Sequence, residues 1–189
     1  MKKQLIIGII IVSIFIVTCG CIEETKEEIT VKAQLNNLAL TLDDLQENYT
    51  KFDEEYKTEP YKVPEGLLLE GWNVLEKYEV RFSKNETEFI LQTIARLESK
   101  EKCKEFIDKV ESQNFSYTFQ EGEMEVIGDE SYLGKNVTTI FDQKVALYFI
   151  CFRIEDVIVV FLSSKISMEI IIDYAKIVEN NINSVLESE

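Results

Sequence analysis

The chain has 189 residues, 46% of them hydrophobic, with 20 Lys+Arg against 35 Asp+Glu, no His and four Cys. That is enough for one domain with a real core and too little for two comfortable ones. A formal charge of −15 disfavours nucleic acid as a partner, and the lack of His removes the commonest general base and metal ligand.

Met1-Lys2-Lys3-Gln4 is a short basic start, followed by the apolar run Leu5–Val17, then Thr18-Cys19-Gly20-Cys21 and an acidic segment from Glu23 to Glu28. A charged start, an apolar stretch and small residues at its end describe an export signal. Counted on to Ile22, the stretch also reaches the low edge of what spans a bilayer as an uncleaved helix. Thr18-Cys19-Gly20-Cys21 resembles a lipobox, the processing site of exported lipoproteins. That resemblance implies lipid attachment at Cys21 after a cut behind Gly20. Lipidated or kept as a signal-anchor helix, the leader places the body on the extracytoplasmic face of the cell membrane, because Lys2 and Lys3 hold the start inside. Residues 1–21 are thus read as signal peptide or anchor, 22–37 as a charged tether and 38–189 as a single globular domain.

Leu38-Ala39-Leu40 opens that domain and Asp43-Asp44 marks a turn. Tyr49–Thr58 alternates poorly, Pro60 and Pro64 punctuate a loop, and Glu65–Trp72 fits a short strand or a helical turn equally well. Lys77–Ser83 puts Tyr78, Val80 and Phe82 on one face, and Glu88–Leu97 follows as a second strand across a hairpin at Lys84–Thr87. Ser99 is the expected N-cap of a helix running to Glu111. Short strands are expected at Phe115–Gln120 and Glu123–Ile127, with turns at Gly128–Ser131 and Gly134–Asn136. Val145–Ile154, apolar on both faces, reads as a central strand, with Val157–Leu162 as its partner. Ile166–Leu186 carries Ile171, Ala175, Val178, Ile182 and Val185 at helical spacing. The expected fold is α+β: an antiparallel sheet of about six strands covered by two helices.

Acceptor triplets for N-glycosylation start at Asn48, Asn85, Asn114 and Asn136, each at an expected turn or element end. Beyond the leader stand Cys103 and Cys151. Cys103 falls on the apolar face of its helix with Phe106, Ile107 and Val110, and Cys151 in the middle of its strand. In an exported domain they invite a disulfide, which requires that helix to cover that strand; otherwise they are two separate buried thiols.

The Gly128–Ser131 turn, then a hairpin passing through Phe152-Arg153 to an apolar second strand, then a closing amphipathic helix, resembles exported lipoproteins of PsbP-like fold. The resemblance implies an α/β/α sandwich that binds protein partners or apolar ligands, and carries no functional residue with it.

Chemistry-bearing motifs are sparse. Ser99–Lys102 matches S-x-x-K without its companion motifs, and an N-cap explains that serine. Asp43-Asp44, Asp53-Glu54-Glu55 and Glu121 with Glu123 and Glu125 lack calcium-loop spacing and read as solvated surface. Trp72, Tyr49, Tyr56 and Tyr61 either line a binding edge or pack the sheet. No catalytic residue, metal ligand or cofactor is expected. The reading is a membrane-anchored extracytoplasmic lipoprotein that acts as a binding or interaction domain, its partner an unspecified protein or apolar ligand. The alternatives are a carboxylate-dependent cell-surface hydrolase and a structural subunit of a membrane or surface complex.

Overall fold

The computed structural model describes residues 31–64, 69–112, 120–121, 126–140 and 142–188. Outside them lie the leader with Cys21, most of the tether, Asn114, and most of the segments expected as strands at Phe115–Gln120 and Glu123–Ile127.

Among the described residues eight strands form one sheet. They are β1 (Thr50–Lys57), β2 (Tyr61–Lys62), β3 (Asn73–Asn85), β4 (Glu88–Leu97), β5 (Gln120–Glu121), β6 (Glu130–Ile140), β7 (Gln143–Ile154) and β8 (Val157–Ser164). Two helices, α1 (Lys100–Ser112) and α2 (Met168–Leu186), complete the α+β fold among the described residues. The order is β1-β3-β4-β8-β7-β6-β5 with β2 on β3, and the recorded pairings are antiparallel. Two meanders, β1-β3-β4 and β6-β7-β8, therefore meet where β4 pairs β8. The apolar run Val157–Leu162 sits at the centre because both its faces are covered, as such runs require.

Each face of the sheet has its own core. Below α1, the helix residues Cys103, Phe106, Ile107 and Val110 meet Ala95, Leu97, Phe149, Cys151, Ile158 and Val160, with Val63, Leu69 and Val74 closing the margin. Below α2, Ile171, Tyr174, Ala175, Val178 and Ile182 meet Val80, Phe82, Ile94, Ile150, Phe152, Val159 and Phe161. The spacing of those helix residues is the stripe seen in the sequence, and Ser167 caps α2 by accepting a bond from the Ile170 N–H. Ser99 likewise accepts from the Lys102 N–H at the start of α1.

Three boundaries differ from the sequence reading. Val31 and Leu35 are fully buried in the α2-side core, so the domain takes in residues assigned to the tether; alternation with Lys32 and Gln34 hid two core positions. Gly134–Asn136 is no turn but the middle of β6, because an eleven-residue partnership with β7 overrides the local preference of Gly and Asn. Tyr49–Thr58, which carries no alternating pattern, contains β1, whose residues are exposed throughout: an edge strand has no buried face to write a pattern.

Gly128 is a glycine that its surroundings enforce. It has φ +66°, and a Cβ there would lie 2.3 Å from the carbonyl oxygen of Arg153. Asp129 then bonds the N–H of Glu155 at 3.0 Å and pairs with Arg153 at 2.8 Å, while Glu130 meets Arg153 at 3.2 Å. The Gly-Asp-Glu-Ser turn and Phe152-Arg153, singled out together in the sequence, are thus one physical unit at the β7–β8 hairpin.

Candidate functional site

The densest polar constellation lies where the N-terminal chain enters the sheet. β4 puts Ile90, Gln92, Ile94 and Arg96 on the α2 face, so two polar side chains enter an apolar surface and must find partners. Arg96 donates to the carbonyls of Val31 and, at 3.0 Å, Ala33. It also pairs with Glu76 at 2.8 Å and with Asp156 at 3.4 Å. Asp156 in turn accepts from the Val31 N–H at 3.1 Å, and Gln92 accepts from the Leu40 N–H at 3.0 Å. Residues 31–40 therefore form a strap stitched across one face of the sheet, with Asn181 of α2 holding the Leu38 carbonyl at 3.2 Å. Burial raises the pKa of Asp156 despite the bond from Val31 and the charge of Arg96. Desolvation wins there because the carboxyl side chain keeps only 6% of its exposure.

The second polar group is a ladder of tyrosine–carboxylate pairs at the β1 edge. Tyr49 donates to Glu88 at 3.0 Å, Tyr78 to Glu54 at 2.8 Å and Tyr56 to Glu76. Burial first, and then each acidic acceptor, raises all three phenol pKa values, that of Tyr56 to about 12. On the opposite face Lys77 bridges Glu55 at 2.8 Å and Glu79 at 3.2 Å; burial alone would lower its pKa, and the two carboxylates outweigh that. Phe52 is the extra residue of a bulge between Lys51 and Asp53 and stands 70% exposed. Bulge and charges together blunt this edge against strand addition.

The aromatic residues expected as a group are divided. Trp72 packs edge-on against Phe106 at 5.7 Å under α1, and Tyr61 flanks the same core; Tyr49 and Tyr56 belong to the ladder. Cys103 and Cys151 lie in one cluster because α1 covers β7 there, which meets the condition for the disulfide considered from the sequence, yet both are buried with free thiols and no disulfide joins them. Burial raises both thiol pKa values, which leaves them protonated and unreactive. Asn85 lies exposed at the β3–β4 hairpin, where its side chain accepts from the N–H groups of Thr87 and Glu88. Asn48 holds a left-handed turn, φ 73°, just before β1. Asn136 departs from expectation: it is half-buried within β6 and not at an element end.

Sequence reasoning missed Arg96, Gln92, Glu76 and Asp156. The available signal was that Gln92 and Arg96 share a β4 face with Ile90 and Ile94, a break in alternation that demands partners from elsewhere in the chain. Among the described residues no group of His, Cys, Asp and Glu is placed to hold a metal, and no helix is long and apolar enough to cross a membrane.

No protein-family model matches the chain, and no curated protein matches it. Among solved structures it is similar to the extracellular domain of PknH from Mycobacterium tuberculosis, with a TM-score of 0.58 and 9% sequence identity. The likeness covers 86% of this chain and 99% of that one, so two very different sequences share one domain fold.

Proposed function

We propose that this chain is an extracytoplasmic binding or interaction domain of PsbP-like sandwich layout. Its N-terminus is fastened to the cell membrane by lipid on Cys21 or by the leader kept as a signal-anchor helix. The observation that carries the reading is the likeness of nearly the whole domain to an extracellular domain, joined to a leader with the features of an export signal. The helix-on-each-face layout is what the PsbP-like resemblance implies, and it supports that part of the proposal. The partner is a protein or an apolar ligand, and the acceptor triplets at Asn48, Asn85, Asn114 and Asn136 are the glycan sites of an exported product. Asn48 and Asn85 lie beside turns, and Asn136, half-buried within β6, is the least open of the described three. A carboxylate hydrolase would need two carboxyl groups facing each other about 5–9 Å apart across a cleft. The carboxylates of Glu54, Glu55, Glu76, Glu79, Glu88 and Asp156 are instead held by lysine, arginine or tyrosine, which favours the binding reading.

Membrane fractionation after labelling with a fatty-acid analogue tests the anchor. Wild type carries label and sediments with membranes, whereas Cys21→Ser loses the label and accumulates as precursor or is released. Unchanged labelling of Cys21→Ser overturns lipidation at that residue, and an unlabelled wild type that still sediments selects the signal-anchor helix.

A further inference from the structure

Two polar groups in the α2-side core lack what their chemistry demands. The Nε2 of Gln92 and the hydroxyl of Ser163 belong to fully buried residues, and neither has a hydrogen-bond partner among the described residues. The two are neighbours. Gln92 lies opposite Phe161 and Ser163 opposite Ile90, so their side chains stand diagonally across the β4–β8 pairing on one face of the sheet. The strap fixes the amide: the Leu40 N–H holds its oxygen at 3.0 Å, which leaves the NH2 group open. Buried polar groups are as a rule paired, and two open donors side by side point to something that accepts from both.

The surroundings say what kind of acceptor fits. Ile90, Phe82 and Phe161 of the sheet and Ile171 and Tyr174 of α2 make the neighbourhood apolar. Arg96, four residues along β4 from Gln92, is already engaged by Glu76, Asp156 and two strap carbonyls. An anionic head would therefore lose its water without gaining a free counter-charge. An amide would bring an N–H for which the same Ser163 hydroxyl is the open acceptor. A neutral carbonyl with no donor of its own asks for the two donors and nothing more.

The way out is one strand wide. Tyr148 pairs with Ser163 across β7–β8, and both Tyr148 and Met168, at the start of α2, are only partly buried against this core. A methionine at such a margin repacks easily around a guest. Further along the same face Val137 of β6, opposite Ala146, stands 60% exposed. We infer that this corner binds an acyl ester. Its carbonyl accepts from the Gln92 amide and the Ser163 hydroxyl, and its alkyl body runs out past Tyr148 and Met168 towards Val137. The inference rests on the binding-domain reading and narrows its apolar ligand to that class.

Photolabelling of the full-length protein in vesicles of ether-linked phosphatidylcholine, a lipid without a carbonyl, tests this. The probe is methyl octanoate with a diazirine at its chain end, and plain methyl octanoate is the competitor. The expected result is label on peptides holding Tyr148, Met168 or Val137, removed by the competitor and several-fold weaker in Ser163→Ala and Gln92→Leu. Ser163→Ala decides, because deleting an unpaired hydroxyl leaves the fold intact, which an unchanged urea midpoint verifies. Equal labelling of that variant overturns the hydrogen-bonded site and leaves the apolar-ligand reading standing. No competed label on wild type overturns the site outright, with water alone between the two atoms, and leaves a protein partner as the reading.

Discussion

The two faces of the sheet are held by different physics. Under α1 the core contacts are almost wholly apolar, down to two protonated thiols and the edge-on contact of Trp72 with Phe106. Under α2 a comparable apolar core is crossed by the strap, and the strap is fastened by Arg96, Glu76, Asp156 and Gln92. The core under α1 gains its stability from surface removed from water, which pH and salt barely touch. Its ion pairs, such as Lys77 with Glu55 and Glu79, lie at its margin. The α2 face adds ion pairs whose strength depends on charge state and on every partner being present. The difference locates a conditional joint on the α2 face: where the N-terminal segment meets the sheet.

Removing the cation is the strongest way to break that joint. Arg96→Met leaves Glu76 and Asp156 uncompensated at 13% and 6% side-chain exposure and frees two strap carbonyls, and should cost about 4 kcal/mol at neutral pH. Without the guanidinium the folded-state pKa of Asp156, already raised by burial, loses the opposing charge of Arg96 and moves up further. A group raised in the folded state contributes stability below its unfolded pKa and loses it as pH rises through the folded one. The penalty of Arg96→Met should therefore shrink as pH falls towards about 4, where the Asp156 carboxyl binds a proton. Urea titrations of wild type and variant at several pH values check this, and a pH-independent penalty would contradict a charge-based joint.

Phe106→Ala is the matching cut on the other face. The ring is 2% exposed and is the neighbour of Trp72, so its loss should cost about 3 kcal/mol through transfer and cavity terms. This penalty should stay flat over the same pH range. The chain holds a single Trp, so the emission of Trp72 reports the α1 face directly and should shift in Phe106→Ala but not in folded Arg96→Met.

How far all this was legible follows from the same contrast. The α1 face was readable because apolar periodicity is its only organising principle. Cys103, Phe106, Ile107 and Val110 declare the helix face, and the run through Cys151 declares the strand below it. Those two patterns placed each thiol in a core but left open whether the helix covers that strand, which the structure answers by putting both in one cluster. The strap was not readable, because its partners lie far off in sequence: Val31 bonds Asp156, and Leu40 bonds Gln92. A polar residue on a strand's buried face shows that a partner exists without saying which one. The exposed β1 was invisible for a different reason: none of its side chains is buried, so no apolar face marks it, and its polar pairings are again with residues distant in sequence.

The smallest expected effect tests whether the α2 face is as fully satisfied as its other bonds suggest. Ser163 is completely buried, pairs with Ile90 across β4–β8, and its hydroxyl has no hydrogen-bond partner; nor does the Nε2 of nearby Gln92. A buried hydroxyl without a partner carries its desolvation penalty into the folded state. Ser163→Ala should therefore be neutral or stabilise by up to about 1 kcal/mol, against the usual direction for core substitutions. If it destabilises by more than that, the hydroxyl has a bond in solution. A buried water shared with the Gln92 amide is then the economical source, because such waters need two or more polar partners and these two atoms supply them. In that case Gln92→Leu should forfeit the same water, and the double variant should cost less than the sum of the two single ones.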